Sequence, residues 1–406
     1  MKLRKINNTD SFEVYGYFYI EDEKYSGVLS SDGTNYILKI FSEEDVHHKK
    51  IDGNTFFTLH GEKIYLISGF LTRNNENYPG LILNEYLINE FWVSSNSSNL
   101  INSCDSCLIE FSGLKYYLLT TPFEIMRKNL HFQIDLINAR NIPITKHLDN
   151  PILYKGININ IKSRPYEEIG FYYNNFLKLA YKEKVPVHKV LEDITEVCYL
   201  FSFVTNQKHR IDSVNLINDD NEFRVFRTLP YKFEPYHKNA YRYEIAGFIN
   251  TYFGVIYEFY YKNPKVFEDV FSLYIKLMYT TNFIDYYLVD LLKLLEGVHR
   301  RLISGKQVNL VERYKEMLEI LDGNLQNYLK KLIVFDESIH DFMKEYRHYY
   351  SHFWLPEETL EYEYDTNFNV SNYAVQLLKA VILSKVGVPT EDIIKILKYT
   401  HRSQGK

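Results

Sequence analysis

The sequence predicts an α+β chain, in which a β-rich antiparallel sandwich or barrel-like N-terminal domain precedes an all-α helical bundle. Three observations carry the prediction. From Phe12 to Ile161, short runs of alternating apolar and polar residues are separated by turn signals. Around Val185-Pro186 the apolar spacing changes to that of a helix. From residue 241 onward the spacing is helical almost throughout. These shifts divide the chain into a β-rich unit over residues 1–240, with one helix near 187–204, and a helical unit over residues 241–406.

The first run, Phe12 to Ile20, is dense in aromatics (Phe12, Tyr15, Tyr17, Phe18, Tyr19). Tyr25–Ser30 and Asn35–Phe41 flank Asp32-Gly33, a hairpin signal. Thr55–Leu59 and Lys63–Ile67 flank His60-Gly61-Glu62, a second hairpin. Leu81–Ile88, Cys107–Ser112 and Leu114–Leu119, the last two around Gly113, continue the strand series, and Ile152–Ile161 adds another. Short strands at this spacing point to a sandwich or a barrel.

Val187 to Val204 reads as a helix through Val190, Leu191, Ile194, Val197, Cys198 and Phe201, and a short β-like piece follows the polar stretch after it. Beyond the loop containing Pro230 and Pro235, one helix starts at Asn263-Pro264, with Pro in the first turn. Others cover Asn282 to Ile303, Val311–Leu321 and, after Asp322-Gly323, Leu325–Val334. A helix capped by Asp336 ends before Pro356, and Tyr373–Lys385 and Thr390–Thr400 close the chain.

Hydrophobic content of 46% and charge of 24% belong to a folded globular chain. A net charge of −5 argues against binding nucleic acid by bulk electrostatics, though not against a local basic site. The 37 Tyr and 27 Phe fit the bias of an AT-rich genome, and part of the excess can serve base stacking or interfaces. The basic start lacks the apolar run of a secretory signal, and no apolar stretch has membrane-spanning length. With only three cysteines, the expectation is a cytoplasmic protein with no membrane contact. Cys104 and Cys107 form a lone Cys-x-x-Cys without the further ligands a zinc site needs, and at a strand start instead of a helix start. His47-His48, beside Glu43, Glu44 and Asp45, reads as an exposed turn. No metal and no cofactor is expected.

The chemistry concentrates in Tyr346-Arg347-His348-Tyr349-Tyr350-Ser351-His352-Phe353. A His can take the proton of a ribose 2′-hydroxyl and an Arg can stabilise charge on the attacked phosphate. With 13 His in 406 residues, this spacing arises by chance about half the time, so the helical context carries the argument. Ile339, Phe342, Met343, Tyr346, Tyr350 and Phe353 share one stripe of the helix, which is its buried seam. Arg347 lies on a shoulder of the other face, and His352 stands about 140° from it around the axis. One helix therefore presents the pair loosely.

These residues resemble the signature of HEPN domains, helical bundles with Arg-x4–6-His late in the domain and a polar residue, often Asn, after the Arg. Arg347 and His352 match the two invariant positions, and His348 stands where Asn is common. The layout of a β-rich part before a terminal HEPN domain is similar to the anti-phage HEPN proteins of the ApeA family, as is the segment around Val204-Thr205-Asn206-Gln207. The resemblance implies a metal-independent endoribonuclease that acts as a homodimer through the HEPN domain, with two motif helices facing each other. It also implies a role in phage defence by RNA cleavage that halts infection. Family members place an acidic or polar residue on an earlier helix to orient the motif, and Glu296 is the candidate here. Arg300, Arg301 and Lys306 are candidates for tracking a phosphate backbone, and Tyr349 for stacking a base. A Tyr modified in some HEPN systems two residues past the His is replaced by Trp354, so that style of control is not expected.

The mechanism implied is transesterification, with His352 as base, Arg347 stabilising the transition state and a group across the dimer protonating the leaving 5′-oxygen. The spacing favours His352 over His348 for proton transfer. Single-stranded loops such as a tRNA anticodon are accessible targets. A phage-derived trigger at the N-terminal domain is the expected activator. The alternative is a HEPN module that binds RNA or protein without catalysis, coupled to a ligand-sensing β domain.

Overall fold

A computed structural model of the chain describes residues 2–20, 23–43, 51–78, 81–94, 99–118, 123–128, 131–136, 142–148, 150–164, 168–228, 242–279, 284–333, 338–352 and 364–401. After a short 3-10 turn at Leu3–Lys5 come β1 (Ser11–Ile20), β2 (Glu23–Asp32), β3 (Tyr36–Ser42), β4 (Thr55–Thr58), β5 (Lys63–Tyr78) and β6 (Leu81–Ser94). These six antiparallel strands run in the order β6-β3-β2-β1-β4-β5, and β5 pairs back onto β6, which closes a barrel. Alternation selects its contents: Phe12, Val14 and Phe18 of β1 meet Leu29, Leu38, Ile40, Phe56, Ile64, Leu66, Tyr86 and Ile88 in one buried cluster. Gly16 interrupts the aromatic series of β1 for a steric reason. A Cβ there would lie 2.1 Å from the Phe57 carbonyl oxygen, so only Gly lets β4 pair this closely. At the turn into β3, Asp32 accepts from the backbone N–H groups of Thr34 and Asn35, both at 2.7 Å, and Gly33 takes φ 87°.

The same sheet continues past the barrel through β7 (Ser103–Phe111), β10 (Ile142–Pro143), β11 (Ile152–Arg164), β12 (Glu168–Pro186), β13 (Ile211–Asn218) and β14 (Asn221–Arg227), while β8 (Phe123–Lys128) and β9 (His131–Leu136) pair as a hairpin of their own. The shared strand is β6, whose C-terminal half pairs with β14 from Phe223↔Ser94 to Arg227↔Glu90. Between strands lie a single helical turn, α1 (Leu114–Tyr117), and the long α2 (Val187–Thr205), which packs against β7 and β12. The helical half comprises α3 (Arg242–Lys262), α4 (Pro264–Tyr279), α5 (Ile284–Leu302), α6 (Leu310–Glu319), α7 (Gly323–Lys330), α8 (Ser338–His352), α9 (Tyr364–Val386) and α10 (Thr390–His401). Central α5 contacts α4, α6, α8 and α9. The α+β reading therefore holds, with the barrel alternative realised and prolonged by an open sheet.

Two expectations need correction. Leu114–Leu119 was expected as a strand, but Gly113 takes φ 79° after β7 and turns the chain into α1, burying Leu114 and Tyr117. A left-handed Gly ends a strand as readily as it makes a hairpin. The nineteen-residue β12 was not expected at all; its Lys182-Glu183-Lys184 segment breaks alternation where the register with β7 shifts between Ala180 and Val185. The expected cap Asp336 and the pair His47-His48 lie outside the described residues.

Buried polar groups join the layers. His209, 2% exposed, donates from Nδ1 to the Ser112 carbonyl at 2.7 Å, because a carbonyl only accepts; Nε2 faces the Thr205 hydroxyl at 2.8 Å. His340, equally buried, lies 3.3 Å through Nε2 from the Tyr373 hydroxyl and ties α8 to α9. At the end of α2, Asn206 in the left-handed region receives the Tyr274 hydroxyl proton at 2.8 Å. Lys379 of α9, fully buried, reaches the Val204 carbonyl at 3.3 Å and the Thr400 hydroxyl at 3.5 Å.

Burial pulls the pKa of His209 and of His340 down to about 4 from 6.5. Both imidazoles are neutral in the fold and gain a proton on unfolding within that window. Their contribution is complete above pH 6.5 and lost as pH falls toward 4, by up to about 3 kcal/mol each. Urea unfolding at successive pH values should show this loss, and replacing both with Gln should flatten it. Lys379 gives a second window with a slope of the same sign: burial lowers its pKa from 10.5 to about 7, so only the unfolded chain holds the proton between these values. Stability should rise with pH there, and Lys379→Met should remove the slope in the same assay.

Candidate functional site

Helix α8 buries Met343 and Tyr346 and packs Ile339, Phe342 and Tyr350 against the core, so the expected seam faces inward. The Tyr346 and Tyr350 rings are 4.7 Å apart one turn from each other, and burial of Met343 and Tyr346 sets the rotation of the helix about its axis. That rotation aims Arg347 across to α5. Its Nη2 lies 3.1 Å from Oε2 of Glu296, and Oε1 of the same carboxylate is 2.6 Å from Nη2 of Arg300. Glu296 thus bridges two guanidiniums, one from α8 and one from its own helix. The Arg347 side chain is 21% exposed, so it is held from behind yet open on one edge, whereas Arg300 is 58% exposed.

Among the described residues two donors at this pair find no partner. Arg347 Nε is buried without a hydrogen-bond acceptor, and so is the hydroxyl of Tyr314, a fully buried residue of α6. Burial pushes the Tyr314 phenol up, with the positive charge of Arg347 acting against that shift, so the ring backs the ion pair. Below it, His299 sits one turn after Glu296 and is wholly buried. Arg313 approaches His299 Nδ1 at 3.0 Å through Nη1, and an arginine only donates. Nδ1 is therefore the acceptor, and Nε2–H donates to Glu316 at 2.6 Å. This locks α5 to α6 directly under Glu296.

The other expected residues are placed as follows. His352 is the last residue of α8, and its side chain lies outside the described residues. His348 and Tyr349 are half-buried on the same helix, with the Tyr349 ring edge-on to Tyr350 at 5.0 Å. Arg301 points away from the Glu296 bridge and donates to the Val266 carbonyl of α4 at 3.2 Å. The structure thus gathers Arg347, Glu296 and Arg300, and leaves Arg301 apart. His299, Arg313, Tyr314 and Glu316 escaped the sequence reading. Only the i, i+3 spacing of Arg313 and Glu316 on an amphipathic helix hinted that they share a face.

Cys104 and Cys107 are buried in β7, and burial pushes the Cys104 thiol up to about 12 and that of Cys107 well above its ordinary value. They are protonated core residues. Among the described residues no group of three or more His, Cys, Asp and Glu is placed to share a metal ion, and no helix is long and apolar enough to cross a membrane.

Replacing His299 with Phe should leave Arg313, 2% exposed, with a buried charge and a lost partner. The expected cost is about 3 kcal/mol, read from chemical denaturation. A loss below about 1 kcal/mol would show that the His299 bridge is not structural.

No curated protein and no solved structure matches the chain. The family model described as ApeA N-terminal domain 1 matches residues 13–274, running from β1 through the barrel, the open sheet, α2 and α3 into α4. Matched over more than half of its length, the chain belongs to the ApeA family.

Proposed function

We propose that this protein is a metal-independent endoribonuclease of the HEPN type that acts in anti-phage defence. The observation that carries the reading is the Arg347–Glu296 pair at 3.1 Å on the helix that ends at His352. A guanidinium pinned by a carboxylate presents its remaining donors without reorganising, which is what stabilising a developing phosphorane charge requires. Membership of the ApeA family supports the defence role, and the helical half supplies the bundle that a HEPN motif needs.

In this mechanism His352 takes the 2′-hydroxyl proton, and the 2′-oxygen attacks the adjacent phosphorus. Arg347 stabilises the charge on the non-bridging oxygens, and the 5′-oxygen leaves with a proton, giving a 2′,3′-cyclic phosphate. Residues five apart on one helix diverge by about 140°, so the productive pair is completed across a homodimer in which two α8 helices face each other. Arg300 extends the cationic edge toward the RNA. The proposed substrate is a single-stranded loop, a tRNA anticodon among the accessible ones, and the setting is the cytoplasm with a phage-derived trigger acting on the N-terminal half.

A second reading, a HEPN module that binds without cleaving and a β domain that senses a ligand, has one observation in its favour. A cavity of about 720 Å³ lies between the sheet, α2, α3 and α4, lined among others by Trp92, Glu192, Glu196, Tyr199, Tyr260 and Phe271.

The readings separate on purified protein incubated with total RNA, with and without phage lysate. The nuclease should leave 2′,3′-cyclic phosphate ends and be indifferent to EDTA. Arg347→Ala should lower cleavage about 10²–10³-fold, and His352→Ala about 10²–10⁴-fold. His348→Ala should retain most activity. RNA left intact by the native chain under both conditions would sink the nuclease reading, and a monomer in sedimentation would count against the paired site.

A further inference from the structure

The outer face of the barrel carries a set of groups that the cleavage site does not use. Alternate residues of β1 point away from the barrel core, and they are Glu13, Tyr15, Tyr17 and Tyr19. Register continues the pattern across neighbouring strands. Phe41, Ser26, Tyr17, Phe57 and Lys63 lie opposite one another in turn on β3, β2, β1, β4 and β5. In the next row Lys24 stands opposite Tyr19, whose ring meets Phe57 edge-on at 5.5 Å. Tyr15 is 55% exposed, Phe41 38% and Tyr17 37%. A patch of large rings left open to water marks a binding surface.

Cations bracket the rings. The Lys24 ammonium lies 3.7 Å from the centroid of Tyr17, and that of Lys63 lies 4.7 Å from Tyr65 and 5.9 Å from Phe57. Among the described residues neither lysine has a carboxylate partner. The acids of this face are already engaged, since Glu13 accepts from the Tyr15 hydroxyl and Glu85 lies 3.9 Å from Lys39.

We propose that this face binds single-stranded RNA, with bases stacked on Tyr17, Tyr19 and Phe57 and with Lys24 and Lys63 on the flanking phosphates. Strands stand about 4.8 Å apart, so the row from β2 to β5 spans roughly 14 Å, room for about two or three bases. Stacking needs ring faces, which every base offers once it is unpaired, and the lysines supply charge where the net charge of the chain does not. Lys24 covers Tyr17 only through a flexible stem and moves aside toward a phosphate. A protein partner fits less well, because lysines are depleted where protein interfaces bury aromatics. The inference names the substrate form for the proposed nuclease and to that extent rests on that reading, but binding here does not depend on cleavage.

The test uses the full chain carrying Arg347→Ala, which slows cleavage in the proposed mechanism, and a fluorescein-labelled single-stranded uridine-rich oligoribonucleotide followed by anisotropy. Tyr17→Ala and Phe57→Ala should each weaken binding about tenfold, while Tyr17→Phe should keep it. Lys24→Gln with Lys63→Gln, at an exposed and a half-buried position outside the barrel core, should lower the salt dependence by about 0.7 per lysine. Duplex RNA should not compete. Equal binding by the parent and the Tyr17→Ala/Phe57→Ala double variant would overturn the proposal. So would an intact RNA affinity accompanied by loss of dimer in sedimentation, which would make the face a protein interface. Cleavage by the native chain is scored separately, so failure of the nuclease reading leaves the binding result standing.

Discussion

A buried lysine between two helix ends joins the sheet-covering helix of this fold to its bundle. Lys379 is enclosed among α2, α9 and α10, with its Nζ facing the Val204 carbonyl and the Thr400 hydroxyl and 5.6 Å from the Phe203 ring. Val204 belongs to the last turn of α2, and Thr400 to the last turn of α10, where carbonyls lack partners within the helix. The negative ends of two helix dipoles favour the cation, burial disfavours it, and burial brings the amine near neutrality. Asn206, in the left-handed conformation that ends α2, adds contacts to Tyr274 of α4 and to the Thr400 carbonyl. The helix that covers the open sheet is thereby fixed to the bundle that carries Arg347.

That constraint matters because the residues of the candidate site are spread along the chain. Glu296 and Arg347 are 51 residues apart and meet only because α5 packs against both α6 and α8. The bracing of His299 by Arg313 and Glu316 sets α5 at a fixed height beside α6. Side chains that act through short, directional contacts need that support, since a displacement of an ångström is enough to lose them. One apolar cluster runs from Trp92 and Cys107 in the sheet to Leu397 in the last helix, so the β-rich and helical parts share a core even though their patterns differ.

The barrel and the helix that carries Arg347 answer to different physical demands on aromatic residues. Inside the barrel Phe12, Phe18, Tyr36 and Phe91 fill volume, and the stacking of Phe91 on Phe226 at 4.6 Å ties the barrel to the open sheet. Outside, Tyr15 and Tyr17 stay open to water while their neighbours one position away are buried. On α8 the same residue type forms the seam, through Tyr346 and Tyr350. Composition alone cannot separate these roles, because Tyr serves each of them.

By itself the sequence determined the α+β class, the hairpins at Asp32-Gly33 and His60-Gly61, the helix from Val187 and the seam of α8. Each follows from local rules: period two or 3.6, turn residues that tolerate a left-handed backbone, and the chemistry of single side chains. Tertiary structure alone decided that six strands close into a barrel, that Gly113 opens a helical turn, that β12 is a strand, and that Arg301 turns from Glu296 toward Val266. It alone brought Tyr314, His299, Arg313 and Glu316 beneath the site and Lys379 to two helix ends. The reason is the same throughout. Which strands pair, and which buried donor finds which acceptor, depends on contacts between distant segments, and no local pattern encodes the partner.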